Sequence, residues 1–154
     1  MSTLTWTIRS YEELTKDELF DMCEVRQEVF VVEQDCPYQD CDQKDKKSHH
    51  LLGYHNGVLV AYLRIVKPGI SYKDPSIGRV LTKLSSRKKG LGKELMKRSL
   101  AFCSSTYPNS NIRISAQQYL IPFYHYFGFN PVGEGYLEDN IPHMEMLLTF
   151  KDQE

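Results

Sequence analysis

The segment GRVLTKLSSRKKGLG, residues 78–92, carries the most specific chemistry in the chain. An apolar run leads through a basic turn, Arg87-Lys88-Lys89, into a helix start that holds Gly90, Leu91 and Gly92. The first N–H groups of a helix have no partner inside it, and the helix dipole adds partial positive charge there. Glycine lets an anion come close to the main chain. Residues 87–92 therefore read as a cradle for a pyrophosphate. Two common polyphosphate motifs do not fit. A nucleoside-triphosphate loop, G-x-x-x-x-G-K-[ST], needs Gly at 87 and Ser or Thr at 94, where Arg87 and Glu94 stand. A dinucleotide turn, G-x-G-x-x-G, needs Gly at 95, where Leu95 stands. The reading without chemistry is a helix that happens to open with two glycines.

Cysteine and histidine suggest less. Cys23 and Cys103 fall in apolar helical patterns and read as buried thiols. Cys36 and Cys41, followed by His49 and His50, lack the spacing of a structural zinc site, so no metal is assigned. A Cys36–Cys41 disulfide does not suit a reducing compartment. The stretch EQDCPYQDCDQKDKK, residues 33–47, is acidic, and three lysines partly neutralise it. It reads either as a solvated loop or as a lure for a cationic amine. Arg64 and Arg79 fall in strand patterns and call for carboxylate partners, with Glu28, Glu33 and Asp42 as candidates.

Charge and length limit the classes. The chain has 154 residues and net charge −1, so it lacks the basic surplus that nucleic-acid binding draws on. No run approaches the ~18 apolar residues of a membrane span, and the start lacks the pattern of a signal peptide. The expectation is a cytoplasmic protein with one domain over residues 1–154.

The elements that position these residues are set by periodicity and turn chemistry. Residues 3–9 alternate as a strand with Leu4, Trp6 and Ile8 on one face. Thr15 and Glu18 predict a capping box, with Leu14 stapled to Leu19. The helix they open carries Leu19, Phe20, Cys23, Val29 and Phe30 as an approximate stripe. Strands at 50–54 and 58–66 flank Asn56-Gly57, a hairpin signal. A strand is expected at 78–84, a helix at 90–104 and a strand at 111–116. A short helix at 122–127 ends at Gly128, and strands at about 132–137 and 143–150 close the chain. The fold class is α/β, a mixed, mostly antiparallel twisted sheet with helices on both faces. Exposed sheet edges could pair two copies into a homodimer.

Arg87-Lys88-Lys89-Gly90-Leu91-Gly92 fits the pattern R/Q-x-x-G-x-G/A and so resembles the pyrophosphate loop of the GNAT superfamily of N-acyltransferases. Phe123-Tyr124-His125-Tyr126-Phe127-Gly128-Phe129 is similar to that family's second signature, a Tyr four residues before Gly-Phe. Residues 26–34, 115–117 and 138–143 resemble its ElaA-like branch. The resemblance implies acetyl-CoA as cosubstrate and transfer of its acetyl group to a primary amine, on a small molecule or a peptide. It implies that Val80, Leu81 and Thr82 pair with the pantetheine arm and that Arg87 to Gly92 hold the pyrophosphate. Gln117 and Tyr124 would join the cofactor site.

Without the resemblance, Tyr124 reads as one more core aromatic in a crowded cluster. With it, Tyr124 is the general acid: a phenol, near pKa ~10, still carries its proton at neutral pH and can donate a hydrogen bond, or that proton, to the departing CoA sulfur, near ~8.5. The amine must lose a proton before it attacks. Many relatives place a Glu on the strand before the loop, and this chain has none between Ile77 and Thr82. Glu33, His49, His50 and His143 are the candidate bases, beside a water relay. Main-chain N–H groups near Val80 to Thr82 would meet the oxyanion. The missing strand carboxylate keeps open a non-catalytic acetyl-CoA binder, acting as a sensor or interaction module.

Overall fold

The computed structural model describes residues 3–150. β1 (Leu4–Ser10), β2 (Ser48–His55), β3 (Val58–Val66) and β4 (Ser76–Thr82) form one antiparallel sheet in chain order. β5 (Ile112–Gln117), β6 (Asn130–Glu138) and β7 (Ile141–Leu148) form a second, in the order β5-β7-β6. The strands are thus divided between β4 and β5. The Arg113 N–H donates to Pro75 O at 3.1 Å where these two strands begin, and beyond that point no ladder joins them.

The helices lie where a strand buried on both sides requires them. β3, VLVAYLRIV, is buried from Leu59 to Val66, so each face needs a cover. On one face, α1 (Lys16–Arg26) and the π-helical segment Gln27–Glu33 pack Met22, Val25, Val29 and Phe30 against Leu52, Tyr62 and Leu81. On the other, α2 (Leu91–Thr106) packs Leu91, Leu95, Met96 and Cys103 against Leu51, Ala61, Leu63 and Ile65. α3 (Ile121–Tyr126) joins that second cluster through Tyr124.

Local chemistry fixes the ends of these elements. The Thr15–Glu18 capping box is present, and Leu14 and Leu19 both pack on the core beneath it. Asn56-Gly57 turns with φ of 50° and 82°, as a two-residue hairpin requires. Asp139-Asn140, at φ 50° and 63°, makes the same kind of turn between β6 and β7, so β7 starts at Ile141 rather than His143. β4 runs 76–82 rather than 78–84, because Leu84–Ser86 coils into a 3₁₀ turn after the Lys83 N–H meets Val60 O at 2.7 Å. Phe20, expected in the helical stripe, is exposed, because α1 turns Met22, Val25 and Arg26 inward instead. Among the described residues, no helix is long and apolar enough to cross a membrane.

Candidate active site

The parting of β4 from β5 opens a cavity of about 260 Å³. Ser76 to Val80 line one wall, and Ser115, Gln117, Leu120 and Tyr124 another. Phe30, Gln34, Cys36 and Tyr38 close it from the α1 side, and Glu138, Asp139, Ile141 and His143 from the β6–β7 hairpin. β4 bulges at this point. Tyr62 pairs with Leu81 and Arg64 with Gly78, so two residues on β4, Arg79 and Val80, face one on β3. Arg79 sits at φ 52°, a left-handed conformation that costs a side-chain-bearing residue about 1–2 kcal/mol. The bulge breaks the regular alternation of N–H and C=O groups beside the cavity.

The basic loop lies beyond the C-terminal end of β4. Lys88 (φ 65°) and Gly90 (φ 77°) are both left-handed, which turns the chain tightly into α2. Gly90 is the N-cap of α2 and no side chain caps the helix, so the N–H groups of Leu91, Gly92 and Lys93 keep no side-chain acceptor. A Cβ built on Gly90 would meet nothing within 4 Å, so this face is open. Leu91 turns its side chain into the core and offers only its main chain. Lys88 and Lys89 are exposed. Beside the loop, a shallow groove is lined by Lys93, Lys97 and Tyr126, with Lys93 Nζ 4.9 Å from the Tyr126 ring centre.

Tyr124 is 7% exposed and borders the cavity. Phe123 and Phe129 meet its ring edge to face, at 5.1 and 6.1 Å. Burial, and secondarily Tyr119, push its phenol well above the usual range, so it stays protonated at neutral pH. It is at once a core aromatic and a wall of the cavity.

The candidate bases separate. His50 is buried between Tyr62 Oη at 2.6 Å and Asp45 O at 2.9 Å, and burial lowers its pKa. His49 meets the Phe102 ring at a 53° tilt, 4.8 Å between centres, and does not border the cavity. Glu33 is bound bidentately by Arg87, at 2.6 and 2.9 Å, and does not border the cavity either. His143 does border it. Its Nδ1 lies 2.7 Å from Ile141 O; a carbonyl only accepts, so Nδ1 carries the proton. The neutral ring's lone pair is therefore on Nε2, which lies 3.4 Å from Glu138 Oε2. Val80 and Gln117 also reach the cavity, whereas Leu81 is buried under α1 and the Thr82 carbonyl accepts from Arg87 Nε at 3.0 Å.

The acidic loop is neither a solvated coil nor a free lure. Three of its aspartates, Asp40, Asp42 and Asp45, meet three arginines in and under the cavity wall. Arg26, fully buried, binds Asp40 at 2.7 Å and Asp45 at 2.8 Å. Arg64 binds Asp42 at 2.7 Å and Asp45 at 2.9 Å, and Arg79 binds Asp40 at 2.9 Å. Neither Glu28 nor Glu33 partners Arg64 or Arg79. Sequence patterning does not single out Arg26, although it stands between Met22 and Val29 at helical spacing within an otherwise apolar face. Cys36 and Cys41 also part: Cys36 Sγ lies 3.8 Å from Asp139 O, and Cys41 Sγ lies 3.6 Å from Cys23 Sγ.

Breaking a buried ion pair from one side strands its partner, which typically costs about 3–5 kcal/mol. Arg26→Met is expected to lower urea-unfolding stability by that order. Arg9→Met, which removes a half-exposed pair at 3.4 Å, should change it by about 1 kcal/mol or less. Equal losses would show that burial does not govern the network. The network also sets an acid limit. Burial alone would raise the Asp45 pKa, but Arg26 and Arg64 outweigh it and hold the carboxyl below the usual range; Arg64 and Arg79 do the same for Asp42. Folding then favours the ionised forms, so their contribution is present above about pH 4 and is lost as pH falls through the depressed values. Urea midpoints should fall steeply below pH 4 in the wild type. Asp45→Asn should be weaker at pH 7 with a flatter acid limb. An unchanged acid limb in that variant would remove Asp45 from the explanation.

Both the sequence and the fold are matched by known proteins. The GNAT acetyltransferase domain model covers residues 12–150. The chain belongs to the GNAT acetyltransferase family. Similar solved structures include an acyl-CoA N-acyltransferase from Pseudomonas aeruginosa, with TM-score 0.92 and 40% identity over 96% of this chain and 100% of that one. Escherichia coli ElaA superposes with TM-score 0.89 and 38% identity over 95% and 99%. In sequence, the chain is 40% identical to E. coli ElaA over 93% of this chain and 95% of ElaA. A UPF0039 protein of Schizosaccharomyces pombe is 39% identical over 96% and 99%. Within the family it therefore lies in the ElaA-like, UPF0039 branch.

Proposed function

We propose that the protein is an acetyl-CoA-dependent N-acetyltransferase that acts by direct attack of a primary amine, on a small molecule or a peptide, in a ternary complex. The observation that carries this reading is the continuity of two half-sites along β4. An uncapped helix start with an open Gly90 lies past one end, and the cavity with Tyr124 and His143 lies beside the other.

The amides of residues 88–92, with Lys88 and Lys89, take the pyrophosphate. Val80 and Leu81 main-chain groups pair with the pantetheine, and Gln117 and Tyr124 border its thioester end. The amine approaches through the cavity, and its proton passes to His143 Nε2, directly or through water. Glu138, 3.4 Å away, stabilises the resulting imidazolium. As the amine nitrogen bonds to the acetyl carbon, N–H groups at the Arg79–Val80 bulge face the developing oxyanion. The C–S bond then breaks, Tyr124 gives a hydrogen bond or its proton to the CoA sulfur, and proton exchange with solvent returns Tyr124 and His143 to their starting forms.

Release of CoA thiol with a panel of small amines and peptides, monitored with a thiol-reactive dye, tests transfer. Amine-stimulated release with a matching acetylated product supports it. Binding of acetyl-CoA with no stimulated release across the panel would favour the non-catalytic binder. His143→Gln should lower kcat by about 100-fold at neutral pH, with a smaller loss at high pH where free amine needs no base. A pH-independent loss would exclude His143 as the base.

A further inference from the structure

The geometry points to Glu33 as a positioning residue for the cofactor loop, acting through Arg87, rather than as a base. This inference rests on the cofactor half of the proposed function. Three donors of the Arg87 guanidinium are committed. Nη1 and Nη2 grip the two Glu33 oxygens at 2.6 and 2.9 Å, and Nε donates to Thr82 O at 3.0 Å. One planar group thereby ties the first residue of the basic loop to the last residue of β4 and to the end of the π-helical segment. Such a fork is directional as well as attractive.

The π-helical segment explains how Glu33 reaches Arg87. The Gln34 N–H donates to Val29 O at 3.3 Å and the Cys36 N–H to Val31 O at 3.1 Å, five residues back in each case. A π turn inserts one residue, which rotates the downstream side chains by about 100° relative to a continuing α-helix. Phe30 on this segment and Gln34 just after it face the cavity, while Glu33 faces outward to the loop. The segment therefore braces the cavity wall against the phosphate cradle.

This arrangement constrains the chemistry of both partners. Both Glu33 oxygens are engaged by the guanidinium and lie away from the cavity, so neither is placed to meet an amine there. The Arg87 charge is already balanced, so Arg87 contributes loop position rather than net attraction. The phosphate charge is left to the amides and to Lys88 and Lys89.

Wild type, Glu33→Gln, Arg87→Gln and the double variant separate these roles by calorimetric titration with acetyl-CoA, which needs no acceptor. Each variant's thermal melt without ligand checks folding. The pair is about one-third exposed, so the expected effect is moderate: Glu33→Gln weakens acetyl-CoA binding by about 5- to 10-fold. Adding Glu33→Gln to Arg87→Gln should then change nothing further, because Glu33 acts only through Arg87. With an amine that the wild type acetylates, Glu33→Gln should raise KM for acetyl-CoA and leave kcat within about 2-fold. Unchanged or tighter binding in Glu33→Gln, additive losses in the double variant, or a fall in kcat with KM preserved would each overturn the assignment. If the wild type itself takes up no acetyl-CoA, it is the proposed function that fails.

Discussion

Gly90→Asp is expected to weaken acetyl-CoA binding by more than 100-fold. Gly90 combines φ of 77° with open space where a side chain would stand. A carboxylate there would lie against the bound pyrophosphate. Like charges about 4 Å apart repel by several kcal/mol at the effective dielectric of a protein surface. The left-handed backbone adds strain of about 1–2 kcal/mol for a residue with a Cβ. Gly90→Asn has nearly the same shape and shares the same backbone strain, so its loss should stay near 10-fold; the difference isolates the charge. Gly133→Asp supplies the control for strain, since Gly133 also has φ of 77° and open space, but lies on β6. It should alter stability and leave cofactor affinity unchanged. Equal affinities for the Asn and Asp variants of Gly90 would mean that no anion sits at this turn.

Tyr124→Phe should lower kcat by 100-fold or more and leave KM for acetyl-CoA within about 3-fold. The substitution keeps the ring that packs between Phe123 and Phe129 and removes only the hydroxyl. Stability should barely change, because that hydroxyl makes no hydrogen bond among the described residues. The pH profile adds a second check. Burial raises the phenol's pKa, so the protonated, donating form persists to higher pH than for a free tyrosine. The wild-type rate should therefore show no fall attributable to Tyr124 below about pH 10. Wild-type turnover in the Phe variant would leave Tyr124 a packing residue only.

How far each feature can be read from sequence depends on whether its cause is local. Thr15 and Glu18 are three residues apart and cap α1, because a capping box needs nothing else. Asn56-Gly57 and Gly128 likewise state their turns directly. Asp139-Asn140 forms the same turn as Asn56-Gly57 without a glycine, which is the stronger cue. The β6–β7 hairpin that presents Glu138 and His143 therefore begins its return strand two residues earlier than the apolar pattern suggests. The open helix entrance at Gly90 is legible because it depends on glycine and on the absence of a capping side chain. The division of the sheet between β4 and β5 arises from long-range pairing, which residue patterns do not encode.

The charged groups show the same limit more sharply. The sequence offers Asp42 among several partners for Arg64, and the structure selects it together with Asp45. Buried pairing between Arg26 and Asp40 spans a π-helical turn and an irregular loop, so its register cannot be counted out along the chain. As an isolated carboxylate in an acidic run, Glu33 is a plausible base. Folding makes it a clamp by placing Arg87, 54 residues away, against both of its oxygens.

The most direct test is a calorimetric titration of the wild-type chain with acetyl-CoA, repeated at low and high salt. Saturable one-site binding that weakens with salt, and disappears in Gly90→Asp, is the expected result. Absence of uptake at millimolar acetyl-CoA by a folded wild-type chain, or equal uptake by Gly90→Asp, would contradict the placement of the pyrophosphate on the α2 entrance.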